Sequence, residues 1–169
     1  MIDTVSKLDV ISITLTQDKV ALIDASDWPL ISGYTWHAAL RGHSGRHWYA
    51  VTTVYTGKNQ YRKLVPMHRL LLDPPDDIEI DHINGDGLDN RRSNLRLATR
   101  IQNAANSTYK KREGASSQFR GVTWNKRCAK WRASVGPKYL GQFDSELEAA
   151  HAYDKIAKEM YGEFANTNF

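Results

Sequence analysis

The first third of the chain alternates apolar and polar positions in short runs. Residues 12–15 and 20–23 are apolar and β-branched runs on either side of a polar turn, and residues 48–55 are rich in β-branched and aromatic side chains. Such runs favour strands, in which successive side chains point to opposite faces. No helical period interrupts residues 10–66, so the pattern predicts a strand-rich region that supports the central part of the chain.

A second pattern occupies residues 78–106. Isoleucines alternate with acidic residues up to Asp81, which predicts a short strand, and a loop with two glycines follows at 84–87. Residues 94–98 alternate again and predict a second strand. Thr99 is followed three residues later by a glutamine, the spacing of a capping box that begins a helix. The predicted order is strand, loop, strand, helix.

The C-terminal segment has a third pattern. Residues 131–135 alternate, the dipeptide Gly136-Pro137 indicates a tight turn, and another strand follows it. Ser145 precedes a glutamate by three residues and predicts a helix start. We expect three strands backed by one helix, whose apolar face carries Leu147, Ala150, Tyr153, Ala157 and Met160 or Tyr161.

Length and composition fit a globular α+β protein. The 169 residues, 41% hydrophobic and 25% charged, suffice for one compact unit and a small second one. We expect one domain over 1–106, a linker over 107–117 and a second domain over 118–169. The absence of a long apolar run and the acidic residues near the N-terminus indicate a cytoplasmic protein with no membrane partner. The single cysteine, Cys128, excludes a disulfide framework and Cys-rich zinc sites.

The distribution of charge is more informative than the formal net charge of +4. Residues 73–89 hold seven acidic residues and no lysine or arginine, whereas residues 91–143 hold thirteen basic residues and one acidic residue. An acidic segment beside a basic one indicates a cation site next to a polyanion site.

Two common metal motifs do not fit the acidic segment. Aligning Asn84, Asp86 and Gly87 with a calcium loop places His82 and Ser93 where an acidic ligand and a bidentate glutamate are needed. A zinc protease needs two histidines one helical turn apart, and the segment has none.

The spacing of four polar residues carries a resemblance. Asp81 precedes His82, Asn94 follows the histidine by twelve residues, and Asn103 follows nine residues later, with the run LDNRRSNLR between them. These residues resemble His-Asn-His (HNH) endonucleases, in particular the phage and intron-encoded homing branch whose last histidine is replaced by asparagine. The resemblance implies a ββα unit over about residues 78–106 that holds one divalent metal ion. It implies Asp81 and Asn103 as metal ligands, His82 as general base, and Asn94 as the residue that orients His82 or braces the loop.

The chemistry of phosphodiester hydrolysis suits these residue types. A neutral imidazole, with an ordinary pKa of about 6.5, can take a proton from water near neutral pH. One carboxylate and one amide oxygen form a hard, incomplete shell that suits Mg²⁺ or Mn²⁺. Nearby arginines could clamp phosphates or pair with the acidic segment, and we favour the phosphates; they are Arg69, Arg91, Arg92 and Arg96. For His68, phosphate contact and simple packing both stay open.

The C-terminal segment resembles the DNA-binding domain of plant ethylene-response factors, on the runs FRGV, YLGQF, AAHAYD and NTNF. The resemblance implies a three-stranded sheet that lies on DNA and contacts both phosphates and base edges. Thr123 and Asn125 stand where the plant domains usually have arginine, so the plant target sequence is not transferred. The residues predicted to face DNA are Arg120, Thr123, Asn125, Arg127, Lys130, Arg132, Lys138 and Tyr139.

Together these patterns predict a metal-dependent endonuclease that acts on double-stranded DNA and recognises its site through the C-terminal sheet. With one ββα unit, a monomer should nick one strand, and no obligatory protein partner is expected. The alternative is a non-catalytic, sequence-specific DNA-binding transcription regulator that uses only the C-terminal sheet.

Overall fold

The computed structural model describes residues 9–41, 47–56, 61–107 and 114–169. The chain divides into two compact units, with the boundary between Thr99 and Arg100. Most of the predicted linker, residues 108–113, lies outside the described residues. The predicted division into 1–106, 107–117 and 118–169 stays a prediction.

Short strands and helices make up both units. Their order is β1 (Val10–Thr14), β2 (Val20–Asp24), α1 (Trp28–Ile31), β3 (His37–Arg41), β4 (His47–Thr56), β5 (Tyr61–Pro66), α2 (Met67–Leu72), β6 (Glu79–His82), β7 (Leu95–Ala98), α3 (Arg100–Asn106), β8 (Val122–Asn125), β9 (Lys130–Val135), β10 (Lys138–Phe143) and α4 (Glu146–Tyr161). One-turn 3-10 helices lie at Ala25–Asp27, Arg92–Asn94 and Gly162–Phe164. Mixed α and β structure with small antiparallel sheets is compatible with the predicted α+β class. No helix in the described ranges is long and apolar enough to cross a membrane.

The first unit contains three small sheets around one core. β1 pairs with β2, β6 pairs with β7, and β4 pairs with both β3 and β5. The first half of β4 lies against β3 and its second half lies against β5, and Val51 has partners on both sides. The core includes the fully buried side chains of Ile23, Ile31 and Met67, which come from β2, α1 and α2.

The strand-rich region directly supports the segment after β6. The Leu22 N–H donates to the Leu88 carbonyl at 2.9 Å, and the Leu22 carbonyl accepts from the Asn90 N–H at 2.8 Å. These bonds form a parallel bridge between Leu22 and Asp89. The β6–β7 loop is therefore fixed to β2 by backbone pairing as well as by its own contacts.

Residues 10–66 were expected to form strands, and the structure adds one short helix, α1, within them. This helix has four residues and Pro29 in its first turn. One turn is too short to show a helical period, and proline favours the first turn because it needs no N–H donor there. The helix is nevertheless important for packing, since Ile31 is fully buried.

The second unit contains a three-stranded antiparallel sheet in the order β10–β9–β8, with α4 packed on it. Val122, Ala133 and Ala150 form one buried cluster, and Val135, Tyr153 and Ala157 form another. Alanines on α4 let the helix approach the sheet closely, which suits a core this small. The sheet and its single helix agree with the pattern in the sequence.

The helix face differs from the prediction at its two ends. Leu147 is 52% exposed and Met160 is 45% exposed, while Tyr161 packs against the core. Leu147 lies about 90° around the helix from the buried centre, because successive residues turn by 100°. Ser145 is the N-cap residue, but its side chain makes no capping hydrogen bond, so the predicted capping box does not form.

Candidate functional site

The β6–β7 hairpin places Asp81 and His82 at the end of β6. Asp81 stands opposite Arg96, and His82 stands opposite Leu95. Arg96 contacts the Asp81 Oδ2 with its Nε at 2.8 Å and its Nη2 at 2.7 Å. The Asp81 carboxylate is buried, and the ion pair compensates the loss of water that burial causes.

The ring of His82, the predicted general base, contacts two other rings. The His82 ring lies 5.0 Å from the His68 ring in a T-shaped contact and 5.8 Å from the Tyr49 ring. Tyr49 also meets His68 at 5.6 Å. These rings come from β4, α2 and β6, so the first unit must fold before they meet. Gly87 packs directly against Trp48 and Tyr49. A Cβ there would lie 2.5 Å from the Trp48 carbonyl oxygen and equally close to the Tyr49 ring.

Burial sets the protonation of both histidines. Burial lowers the pKa of His82 below its ordinary value of 6.5, although Asn90 and three nearby carboxylates act in the opposite direction. Burial, with smaller effects from His82 and Arg69, lowers the pKa of His68 to about 3. Removing a charged group from water disfavours its charged form. Both imidazoles are therefore neutral near pH 7, as a general base requires.

Asn94 braces the loop after β6. Its Oδ1 accepts from the Asn84 N–H at 3.0 Å, and its Nδ2 donates to the Asn84 Oδ1 at 3.0 Å and to the Asp89 carbonyl at 2.8 Å. These bonds correspond to the second of the two roles predicted for Asn94. Asp86 closes a local turn, because its carboxylate accepts from the Leu88 N–H at 3.0 Å.

The four arginines predicted to clamp phosphates all contact acceptors of this chain. Arg91 donates to Asp89 at 2.6 and 2.7 Å, and this hydrogen bonding lowers the pKa of that carboxyl group. Arg92 forks onto Asp27 at 2.8–3.0 Å, and Arg69 donates to the Ile78 carbonyl at 2.9 Å. Arg96 pairs with Asp81 across the hairpin. A DNA phosphate would therefore have to share these guanidinium groups, and their DNA contacts stay a prediction.

The two predicted metal ligands lie in different units. Asp81 is in the first unit, and Asn103 is on α3 in the second. Among the residues that the structure describes, no three His, Cys, Asp or Glu side chains are grouped to hold a metal ion. A carboxylate and an amide oxygen nevertheless fit a hard divalent cation that takes its other ligands from water and phosphate.

The outer face of the β8–β10 sheet carries several of the predicted DNA contacts. Thr123, Arg132 and Gln142 stand side by side across the three strands, and all are exposed. The Arg132 guanidinium lies 5.3 Å from the centre of the Tyr139 ring, a cation–π distance. This row of exposed polar side chains is the part of the second unit best suited to meet a nucleic acid.

Other predicted DNA contacts have different surroundings. Asn125 pairs with Lys130, whose ammonium group lies 2.7 Å from the exposed Asp144 carboxylate. Lys138 is exposed, but it stands opposite the buried Val135 and so begins on the other side of the sheet. Arg127 lies exposed in the turn between β8 and β9.

Arg120 contacts the end of α3. Its guanidinium donates to the Ser107 carbonyl and, at 3.4 Å, to the Ala104 carbonyl. The structure thus gives Arg120 partners within the protein, and its DNA contact stays a prediction.

Sequence reasoning missed several residues that shape the site. Tyr49 borders His82, although it is far from the histidine in the sequence and its strand pattern is ordinary. Asn84 and Asn90 hold or border the same loop. Asp154 is buried on α4, and an acidic residue on an apolar helix face is a signal that could have indicated a buried hydrogen-bond acceptor.

One family of known proteins matches the segment that contains the β6–β7 hairpin and its loop. The HNH endonuclease family matches residues 74–105. The chain is 32% identical over 151 residues to an uncharacterised HNH endonuclease of Acanthamoeba polyphaga mimivirus, an alignment that covers 88% of this chain and 74% of the viral protein. The chain therefore belongs to the HNH endonuclease family.

The C-terminal region is similar to plant transcription factors. APETALA2-like protein 2 of Oryza sativa is 50% identical over 60 residues, which are 32% of this chain and 14% of the rice protein. An ethylene-responsive transcription factor of Arabidopsis thaliana is 33% identical over 101 residues, covering 55% of this chain and 60% of that protein. No solved structure matches the chain at a significant level.

Proposed function

We propose that the protein is a divalent-metal-dependent endonuclease that hydrolyses phosphodiester bonds of double-stranded DNA and nicks one strand as a monomer. The observation that carries this proposal is the Asp81-His82 pair at the end of β6. The histidine is kept neutral by burial, the aspartate is held by Arg96, and both lie in the segment that matches the HNH family.

In this proposal His82 acts as the general base. Its neutral imidazole accepts the proton of the water that attacks the phosphorus atom. Tyr49 and His68 border the ring and limit its orientation. Asn94 keeps the loop closed beside it, so the base is positioned before DNA arrives.

A divalent cation fits the donors that we propose for it. Asp81 and Asn103 offer hard oxygen atoms, which Mg²⁺ and Mn²⁺ prefer. When bound, the ion neutralises the charge that develops on the phosphate and on the departing 3′ oxygen. Because the protein offers few ligands, we expect weak metal binding in the absence of DNA.

The β8–β10 sheet supplies recognition in this proposal. Thr123, Arg132 and Tyr139 lie on its exposed face, and the region is similar to plant transcription factors. Arginine suits phosphate contacts and base-edge contacts, because its planar group donates several hydrogen bonds at once. Linkage to the nuclease unit raises the local concentration of DNA at the cutting site.

Incubation with supercoiled plasmid tests the activity. With Mg²⁺ or Mn²⁺ we expect the relaxed form to accumulate, and EDTA should prevent this. His82→Ala should reduce nicking at least about 100-fold, since a general base contributes 10²–10⁴ in rate. His37→Ala, on β3, is the matched control and should nick normally. Undiminished cleavage by the His82 variant would exclude it as the base.

The second candidate is a DNA-binding regulator without catalysis, which the likeness to plant transcription factors favours. The two candidates differ in one measurement. A regulator binds a specific duplex but leaves plasmid intact at every metal concentration, whereas a nuclease binds and cuts.

A further inference from the structure

We infer that Arg120 and the C-terminal tail, residues 165–169, form a clasp. The clasp fixes α3, and with it Asn103, to the rest of the second unit. The clasp consists of Arg120, Asn166 and Asn168. This inference rests on the proposed function, in which Asn103 is a metal ligand. It makes the clasp residues positioning residues for that ligand.

The clasp contacts the C-terminal end of α3. Arg120 donates to the Ser107 and Ala104 carbonyls, and the Asn166 Nδ2 donates to the Asn106 carbonyl at 3.1 Å. The last carbonyls of a helix have no donor within the helix, so these side chains satisfy groups that would otherwise need water. A positive guanidinium at this end also interacts favourably with the helix dipole.

The clasp is itself anchored to α4. The Asn168 Oδ1 accepts from the Arg120 N–H at 2.7 Å, and its Nδ2 donates to the Asp154 Oδ1 at 3.0 Å. The buried Asp154 carboxylate also accepts the N–H groups of Asn168 at 2.8 Å and Phe169 at 2.9 Å. The tail therefore links Arg120 to the main helix of the second unit through a chain of hydrogen bonds.

The clasp adds to other contacts of α3, which include the burial of Ala105 and packing against the 3-10 helix Gly162–Phe164. α3 has seven residues, and a helix of that length is unstable in isolation. An open groove of about 630 Å³ is lined by Ile101 and Ala105 of α3 and by Val135 and Tyr153 of the sheet and α4. The groove leaves one side of the helix open, and the hydrogen bonds at its C-terminal end add to its stability.

The consequence is that the placement of Asn103 depends on the folded second unit. A DNA-reading unit that also holds a metal ligand connects recognition to cutting, because loss of the clasp loosens the helix that carries the ligand without touching the DNA-facing sheet. Asn166 is the better residue for a test, since Arg120 is also a predicted DNA contact.

Two measurements on the full chain test the clasp. Hydrogen exchange of the α3 amides should quicken about 5-fold in Asn166→Ala, the effect of losing one hydrogen bond of about 1 kcal/mol, and more in Asn166→Ala combined with Arg120→Ala. The Mg²⁺ concentration for half-maximal nicking should rise at least 3-fold in Asn166→Ala, while its DNA affinity in EDTA stays unchanged. Thr167→Ala is the control, because the Thr167 hydroxyl donates within the tail, to the Phe169 carbonyl.

Unchanged α3 exchange in the double variant overturns the clasp. Faster exchange with an unaltered Mg²⁺ requirement overturns the positioning of Asn103. If the wild-type protein never nicks DNA, the proposed function fails, and the exchange measurement still decides whether the clasp holds α3.

Discussion

The β6–β7 hairpin buries charged side chains, whereas the β8–β10 sheet exposes them. In the hairpin, the residues Asp81 and Asp89 are 4% and 3% exposed, and each pairs with an arginine of the same chain. On the sheet, Arg132 is exposed and its neighbours across the strands are polar but uncharged. Ion pairing fixes the geometry of the first group, whereas exposure leaves the second group accessible to a polyanion.

If the proposed function is right, the hairpin governs the chemical step and the sheet governs the affinity for DNA. Buried ion pairs are expensive to break, and they hold a reacting group within a fraction of an ångström. Exposed cations bind phosphate with little specificity and are weakened by salt. Variants in the two regions should therefore fail in different measurements.

The largest effect is expected from breaking the buried pair. Asp81→Asn leaves the Arg96 guanidinium buried without its anion and should lower the free energy of unfolding by about 3 kcal/mol, besides removing a metal ligand. Urea denaturation and plasmid nicking measure the two effects. Asp144→Asn is the control, because it breaks the exposed pair with Lys130 and should leave the urea midpoint unchanged. An equal loss of stability in the two variants would contradict the contrast between the buried and the exposed ion pair.

The next effect is a loss of stability in acid caused by His68. Its pKa is about 3 in the folded protein and about 6.5 when unfolded, so between these values only the unfolded state takes up a proton. Stability should fall as the pH drops below 6.5, by up to about 1.4 kcal/mol per pH unit from this group. Urea unfolding of wild type and His68→Phe at pH 7 to 4 measures it. The exposed His151→Gln variant should keep the wild-type slope, and a wild-type slope in His68→Phe would refute the prediction.

A smaller effect is expected where the loop closes on Tyr49. Gly87→Ala places a methyl group against the Trp48 carbonyl and the Tyr49 ring and should cost about 1–3 kcal/mol. Thermal denaturation detects this as a lower midpoint. Gly33→Ala is the matched control, because a Cβ there meets nothing within 4 Å. A drop in Gly33→Ala as large as that in Gly87→Ala would count against close packing at the loop.

The smallest effect belongs to the exposed sheet. Arg132→Gln should leave stability unchanged and lower the slope of log affinity against log salt by about 0.9, the value for one lost phosphate contact. Fluorescence anisotropy with a duplex at several salt concentrations measures it. Lys158→Gln, on the exposed side of α4, is the control and should keep the wild-type slope. A wild-type slope in Arg132→Gln would show that the exposed face of the sheet does not contact DNA phosphates through this residue.

Local patterns allowed much of the fold to be predicted. The strands on either side of the β6–β7 loop and the sheet of the second unit follow from alternation over a few residues, and α4 follows from its alanine-rich face. The four-residue α1 did not follow, since a single turn has no measurable period. The exposure of Leu147 was not predicted either, because the centre of the buried face of α4 is known only from the packing of the helix on the sheet.

The surroundings of the candidate site depend on contacts distant in sequence. Arg92 pairs with Asp27, 65 residues away, and no spacing rule relates them. The meeting of Tyr49, His68 and His82 depends on how three elements pack. Sequence could therefore suggest which side chains do chemistry, but it could not predict what sets their protonation.

The backbone bridge between Leu22 and Asp89 bears on how this family can exchange parts during evolution. The HNH match begins at residue 74, yet two peptide groups of its loop find their partners on β2, more than sixty residues earlier in the chain. Transplanted alone into another host protein, that segment would lose these two backbone bonds and keep the contacts within its own loop. Recombination that keeps the loop fully bonded must therefore carry β2 along with it.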